Sequence, residues 1–234
     1  MHNCPNTSLI KFAYDSSLLV PILKNIRDET PRAIQQLKDW SNAKSMPGND
    51  DKSKELLFVK KGSANAVTLV ERYVKILGST FEPTSRFKIH VKDKLVKANK
   101  CLLVIRNLRK GGYSQNEIDH LFKSLVLSQL TYALSIYTGS PLELTLVQNF
   151  LTRCYKRNYI SSHINIYSLL ERFDRTIFNR IRKRTNHPLG EICPKTKPYT
   201  LKLRKQEAQW PTISTERSKH SSINRCIFKY NLSV

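Results

Sequence analysis

Between Pro83 and Gly112 the chain repeats apolar residues at a spacing that one kind of element satisfies. Val91, Leu95, Ala98, Leu102 and Ile105 follow one another at intervals of 4, 3, 4 and 3, the period of an α-helix with one face against a core. Pro83, Thr84 and Ser85 predict its start and Gly111-Gly112 its stop. The other faces carry Arg86, Lys88, Lys92, Lys94, Lys97, Lys100, Arg106, Arg109 and Lys110 against a single acid, Asp93. Such a helix packs by its one stripe and turns a crowd of like charges toward water or toward an anion.

The whole chain repeats that imbalance. Forty Lys and Arg against eighteen Asp and Glu give a net charge of +22 and a pI near 10.0, which makes a polyanion, RNA or DNA, the expected partner. With 234 residues and 40% hydrophobic content, the chain can bury the core of one or two domains. The five cysteines (Cys4, Cys101, Cys154, Cys193 and Cys226) are scattered and lack zinc-site spacing, so neither a disulfide framework nor a zinc module is expected. No signal-peptide pattern opens the sequence, and no apolar run approaches a membrane span. The expected setting is intracellular, nuclear or cytoplasmic, away from membranes, and the oligomeric state stays open.

Further helices follow the basic one. Ser114 and Glu117 form a capping box that opens a strongly apolar helix with Ile118, Leu121, Phe122, Leu125, Leu130 and Ala133 in its stripe. Ser140 and Glu143 form a second box, ahead of Leu144, Val147, Leu151 and Cys154; that helix ends in Arg153, Lys156 and Arg157. A third helix, from about Ile164 to Thr185, places Ile166, Leu170, Phe173, Ile177 and Ile181 on one face and ends in Arg182, Lys183 and Arg184. Cations in a last turn suit the helix dipole, and they also suit phosphates. Residues 191–234 read as an extended basic tail with one short packed segment around Ile227-Phe228.

Ahead of the basic helix the pattern is different. The run from Ile10 to Val20 reads as a tight β-hairpin, with one strand ending at Ala13, a polar tip bearing Asp15, and a second strand from Leu18. Thr30 as cap and Pro31 as first residue predict a helix over Pro31–Lys44, carrying Ile34, Leu37 and Trp40. Leu56–Val59 reads as a strand, Lys60–Asn65 as a turn, and Val74–Phe81 as a strand pair bent at Gly78.

Taken in order, these stretches resemble the reverse transcriptases of non-LTR (LINE/jockey-like) retrotransposons. The Phe12-Ala13-Tyr14-Asp15 hairpin is similar to the family's catalytic hairpin, and Trp40 through Lys52 to Phe58 is similar to its next motif. Tyr73-Leu77-Gly78-Phe81 resembles its primer-gripping turn. The stretch from Gln115 through His187-Pro188-Leu189, with Thr215-Glu216-Arg217 in the tail, is similar to its thumb and beyond. The resemblance implies an α+β, mostly α chain with a disordered start (1–8), an incomplete palm edge of hairpin, helix and short strands (9–82), a basic helical thumb-like domain (83–190) and the basic tail (191–234). It reads as truncated on its N-terminal side.

The parent activity is RNA-directed DNA polymerisation with Mg²⁺ held by paired Asp residues. Tyr14 stands where the family's first Asp of the pair would be, so Asp15 is a vestigial half of a catalytic and metal-binding pair, and Lys52 falls at the nucleotide-phosphate position. A phenol cannot replace a carboxylate as a Mg²⁺ ligand. The expectation is an inactive fragment that binds no Mg²⁺ itself and keeps a nucleic-acid-binding surface at Lys88, Lys92, Lys94, Lys97, Lys100, Arg153, Lys156, Arg157, Arg182, Lys183 and Arg184. A non-catalytic binding module and an unselected genomic relic stay open as alternatives. Phosphate-loop, nucleophile-elbow and H-E-x-x-H signatures are absent from the sequence.

Overall fold

A computed structural model describes residues 7–22, 28–58, 71–137, 141–184, 186–190, 193, 213 and 216–230. It divides into two compact units, Met1–Glu55 and Leu56–Val234. Expectations for the start of the chain, for Val59, for the turn at Lys60–Asn65, for the Ser140 cap and for most of the tail lie outside the described residues.

In the first unit, β1 (Ser8–Phe12) and β2 (Asp15–Leu19) pair antiparallel, from Ser8 opposite Leu19 to Phe12 opposite Asp15. The connecting pair is Ala13-Tyr14. Ala13 takes a φ of 51°, the left-handed conformation that tight hairpins demand and that costs a side-chain-bearing residue about 1–2 kcal/mol. Two expectations are corrected here. The tip is the Ala13-Tyr14 pair, and Asp15 is already the first residue of β2. Ser8, placed in the disordered start, opens β1.

Helix α1 (Thr30–Ala43) begins one residue before the expected Pro31. Thr30 is inside the helix, and Asp28 serves its first turn by accepting a 2.9 Å hydrogen bond from the Thr30 amide. Leu9 and Leu18 of the hairpin and Ala33 and Leu37 of α1 line a cavity of about 60 Å³, too small for a nucleotide. Of the described hydrophobics in this unit, Ala33 alone is buried; Ile10, Phe12 and Leu19 stay exposed. Leu56–Phe58, read as a strand, is irregular and has no strand partner among the described residues, since apolar side chains alone do not hold an extended segment without a ladder.

The second unit opens on β3 (Val74–Ile76) and β4 (Ser79–Phe81), joined by Leu77 (φ 46°) and Gly78 (φ 77°). Both turn residues are left-handed, which Gly78 accommodates freely and Leu77 does not. This pair, expected to belong with the palm-like segment 9–82, packs on α2 (Lys88–Lys110) in the helical unit. Helix α2 starts later than its Pro-Thr-Ser signal. Ser85 turns back at φ 51°, and the Glu82 carboxylate accepts a 2.7 Å hydrogen bond from the Ile89 amide, doing from a distance what a capping side chain does.

Helix α3 (Gln115–Leu121) carries the expected capping box of Ser114 and Glu117. It runs on through a π-helical stretch, Phe122–Leu127, into α4 (Ser128–Thr131). The buried stripe is Ile118, Phe122, Val126, Leu130 and Leu134, a strict spacing of four. On an ideal α-helix that spacing drifts by about 40° per step. The wider π turn takes up part of the drift and keeps the stripe on the core.

Helix α5 (Leu134–Tyr137) follows a kink at Ala133, and α6 (Pro141–Lys156) supplies Leu144, Val147, Phe150, Leu151 and Cys154 to the same core. Asn158 (φ 56°) ends α6, with the Tyr159 amide bonded back to the Cys154 carbonyl. Gln148 then ties α6 to α7 (Ile166–Lys183), accepting from the Ile166 amide at 2.8 Å and donating to the Ile164 carbonyl at 3.2 Å.

The tail departs from an extended arm. Its described part folds into α8 (Glu216–Lys219) and α9 (Ser222–Phe228), and Cys226 and Ile227 bury against Phe178 of α7. Arg225, within the basic tail, is 2% exposed and paired with Asp174.

Candidate nucleic-acid interface

The cations of α2 are distributed by the helical period. Relative to the buried stripe of Val91, Ala98 and Ile105, steps of about 100° put Lys94 and Lys97 on one flank, Lys88 and Lys92 on the other, and Lys100 opposite the core. Lys88, Lys92, Lys97 and Lys100 are exposed. Among the described residues, none of these four enters an ion pair.

The Lys94 flank is the one that meets the strands. His90, one turn before Lys94, is 1% exposed, and its Nδ1 accepts a 3.2 Å hydrogen bond from the Thr80 amide. The proton therefore resides on Nε2, which is buried without a hydrogen-bond partner. Burial is the main cause that holds the imidazole down to about 4, with the Lys94 ammonium the next contributor. Lys75 lies directly across the β3–β4 ladder from Thr80.

Lys94 is half-buried, with its Nζ 4.3 Å from the centre of the Tyr132 ring. The Tyr132 hydroxyl donates to the Leu77 carbonyl, and a Cβ on Gly78 would sit 3.3 Å from that hydroxyl oxygen. Burial first, then the charges of Lys97 and Lys75, pull the Lys94 ammonium below its usual range.

A second station forms where α2 and α6 end together. Arg106 donates through Nε and Nη2 to the Tyr159 hydroxyl at 3.2 and 2.9 Å, and Arg109 donates to the Asn158 carbonyl. Both guanidiniums thus fasten the chain leaving α6, beside the exposed Arg153, Lys156 and Arg157. Arg182 and Lys183 close α7 and Arg184 caps it, all exposed. The cations singled out in the sequence occupy these separate stations, with Lys94 linked to the strand pair through Tyr132.

The first unit holds Tyr14, Asp15 and Lys52. Tyr14 is 97% exposed at the hairpin tip, and Asp15 is exposed beside it. Lys52 ends a single 3₁₀ turn, Asp50–Lys52, in which Asp50 is held by Lys38 at 2.8 Å. No hydrogen bond or ion pair among the described residues joins Lys52 to Asp15. Among those residues no group of three or more His, Cys, Asp or Glu side chains is placed to hold a metal ion. A lone carboxylate next to a phenol does not fit the Asp-lined Mg²⁺ cradle that the resemblance implies.

Sequence reasoning did not single out Lys75, His90 or Tyr132 for this surface. Lys75, between Val74 and Ile76 on a three-residue strand, carried a signal of its own, because alternation puts it on the face opposite its apolar neighbours. His90 and Tyr132 carried none, since their roles come from strands that meet α2 only in the fold. No helix among the described residues is long and apolar enough to cross a membrane. No protein-family model, curated protein or solved structure matches the chain.

Proposed function

We propose that this chain is a non-catalytic piece of a reverse transcriptase of the non-LTR retrotransposon kind, whose helical unit binds RNA or DNA by its phosphates. The observation that carries the binding reading is on α2. Lys88, Lys92, Lys97 and Lys100 stand exposed without a carboxylate partner among the described residues, on a helix with eight Lys and Arg and one Asp. Keeping these charges on one helix costs repulsion that an incoming polyanion relieves, with release of its counterions as the driving term.

The retroelement parentage rests on the succession of motifs along the sequence, and the loss of catalysis on Tyr14. The binding reading stands without either. The test is equilibrium binding of labelled single-stranded RNA and DNA over a salt series. Each phosphate contact contributes about −0.7 to the slope of log K against log salt for a single strand. Charge reversal at Lys88, Lys92, Lys97 and Lys100 should flatten that slope, and an unchanged slope would refute the assignment to α2.

A further inference from the structure

Lys75 of β3 and Lys94 and Lys97 of α2 lie on the side of the helix that carries the β3–β4 pair. Thr80 is the hinge of the arrangement. Its amide is fastened to His90 of α2, and its cross-strand neighbour is Lys75. Lys94 and Lys97 follow His90 by one and two helical turns on the same flank. The Tyr132 ring holds the Lys94 ammonium at 4.3 Å, while its hydroxyl bonds the turn at Leu77. The nearest acidic charge on this part of α2 is Asp93, and among the described residues it forms no ion pair.

We propose that Lys75, Lys94 and Lys97 form a phosphate-binding site, with Tyr132 as the positioning residue for Lys94. The proposal rests on the binding reading above and narrows it to one place. Half-burying an ammonium next to two others is unfavourable for the free protein, and a phosphate oxygen among the three offsets both the desolvation and the repulsion. Lys94 is held by the ring, and the ladder fixes the backbone of Lys75, so part of the ordering cost is met before the anion arrives. A phosphodiester of a nucleic acid and free inorganic phosphate share this chemistry.

The test measures wild-type binding of a short oligothymidylate and, separately, of inorganic phosphate at low salt. Lys75→Gln with Lys94→Gln is compared with Lys88→Gln with Lys92→Gln, which removes equal charge from the opposite flank. The expected result is a loss for the first pair at least about tenfold larger than for the second. Lys75→Gln alone, at an exposed position, repeats the comparison should the Lys94 change perturb folding. Equal losses would leave attraction to net charge only and overturn the site while sparing the binding reading. If the oligonucleotide fails to bind but inorganic phosphate binds and is lost in the first pair, the site stands and the nucleic-acid reading falls. Failure of both ligands overturns the site as well.

Discussion

Arg225 meets Asp174 in a two-pronged ion pair, Nε to Oδ2 at 2.6 Å and Nη2 to Oδ1 at 2.9 Å, with side-chain exposures of 3% and 0%. The same guanidinium donates to the Ser135 carbonyl at 3.1 Å and to the His220 carbonyl, so one residue of α9 binds α7, α5 and the turn before its own helix. Ser222 and Tyr230 hydroxyls stand 3.4 Å from the Asp174 oxygens. Removing one partner leaves the other charged and buried. Arg225→Met should cost about 3–5 kcal/mol in urea unfolding, whereas Arg225→Met combined with Asp174→Leu should cost less than the single change. A double variant at least as unstable as Arg225→Met would show that the pair is not what docks the tail.

His90 gives the helical unit an acid-sensitive joint. Its folded value of about 4 lies below the ordinary 6.5, so the unfolded chain binds more protons between those limits. The stabilisation is complete above about pH 6.5 and is lost as pH falls through 4, by up to about 3 kcal/mol. Protonation would also put a proton on Nδ1, where the Thr80 amide now donates, and would add a charge beside Lys94, Lys97 and Lys75, with Asp93 opposing. Urea unfolding at a series of pH values should show this slope, and His90→Gln should flatten it. A slope that His90→Gln leaves intact would assign the acid sensitivity elsewhere.

Two thiols should be inert in the native chain. Burial, the first cause in each, pushes Cys154 up to about 11 and Cys226 up to about 12, and both side chains are buried. The thiolate is the nucleophile, so alkylation at neutral pH should spare both until denaturant is added. Peptide mapping after a short iodoacetamide pulse reads this directly, and early modification of Cys226 would mean that α9 undocks readily from α7.

No templated primer extension is expected from the purified chain with Mg²⁺. Tyr14→Asp should not restore it, because adding one carboxylate to an exposed hairpin tip does not build the converging set that two cations require. Incorporation of labelled nucleotide by either form would contradict this.

The hairpins, the capping box at Ser114 and the three longer downstream helices were legible because each rests on local chemistry: alternation, a cap, a four-three spacing. The turn at Ala13-Tyr14 was placed one residue off because polarity marked the tip at Asp15, while hydrogen-bond register put it earlier. The late start of α2 was hidden by a good Pro-Thr-Ser signal that Glu82 overrides from outside the helix. The tail was misjudged for a clearer reason. Asp174 sits four residues from both Leu170 and Phe178 on the buried face of α7, and a carboxylate in an apolar stripe announces a buried cation somewhere. Phe173 and Ile177, which the apolar spacing alone puts on that face, are only partly buried. The placement of Lys75 on the same side of α2 as Lys94 and Lys97 was not readable at all, because it depends on a ladder laid against a helix.

Salt-dependent binding tests the central claim most directly. Labelled single-stranded RNA should bind the purified chain with an affinity that falls steeply between about 50 and 200 mM salt, and the Lys88, Lys92, Lys97 and Lys100 charge-reversal variant should retain the fold by circular dichroism while losing most of that slope. Weak binding with no dependence on salt, or a variant whose slope equals the wild type's, would contradict the account.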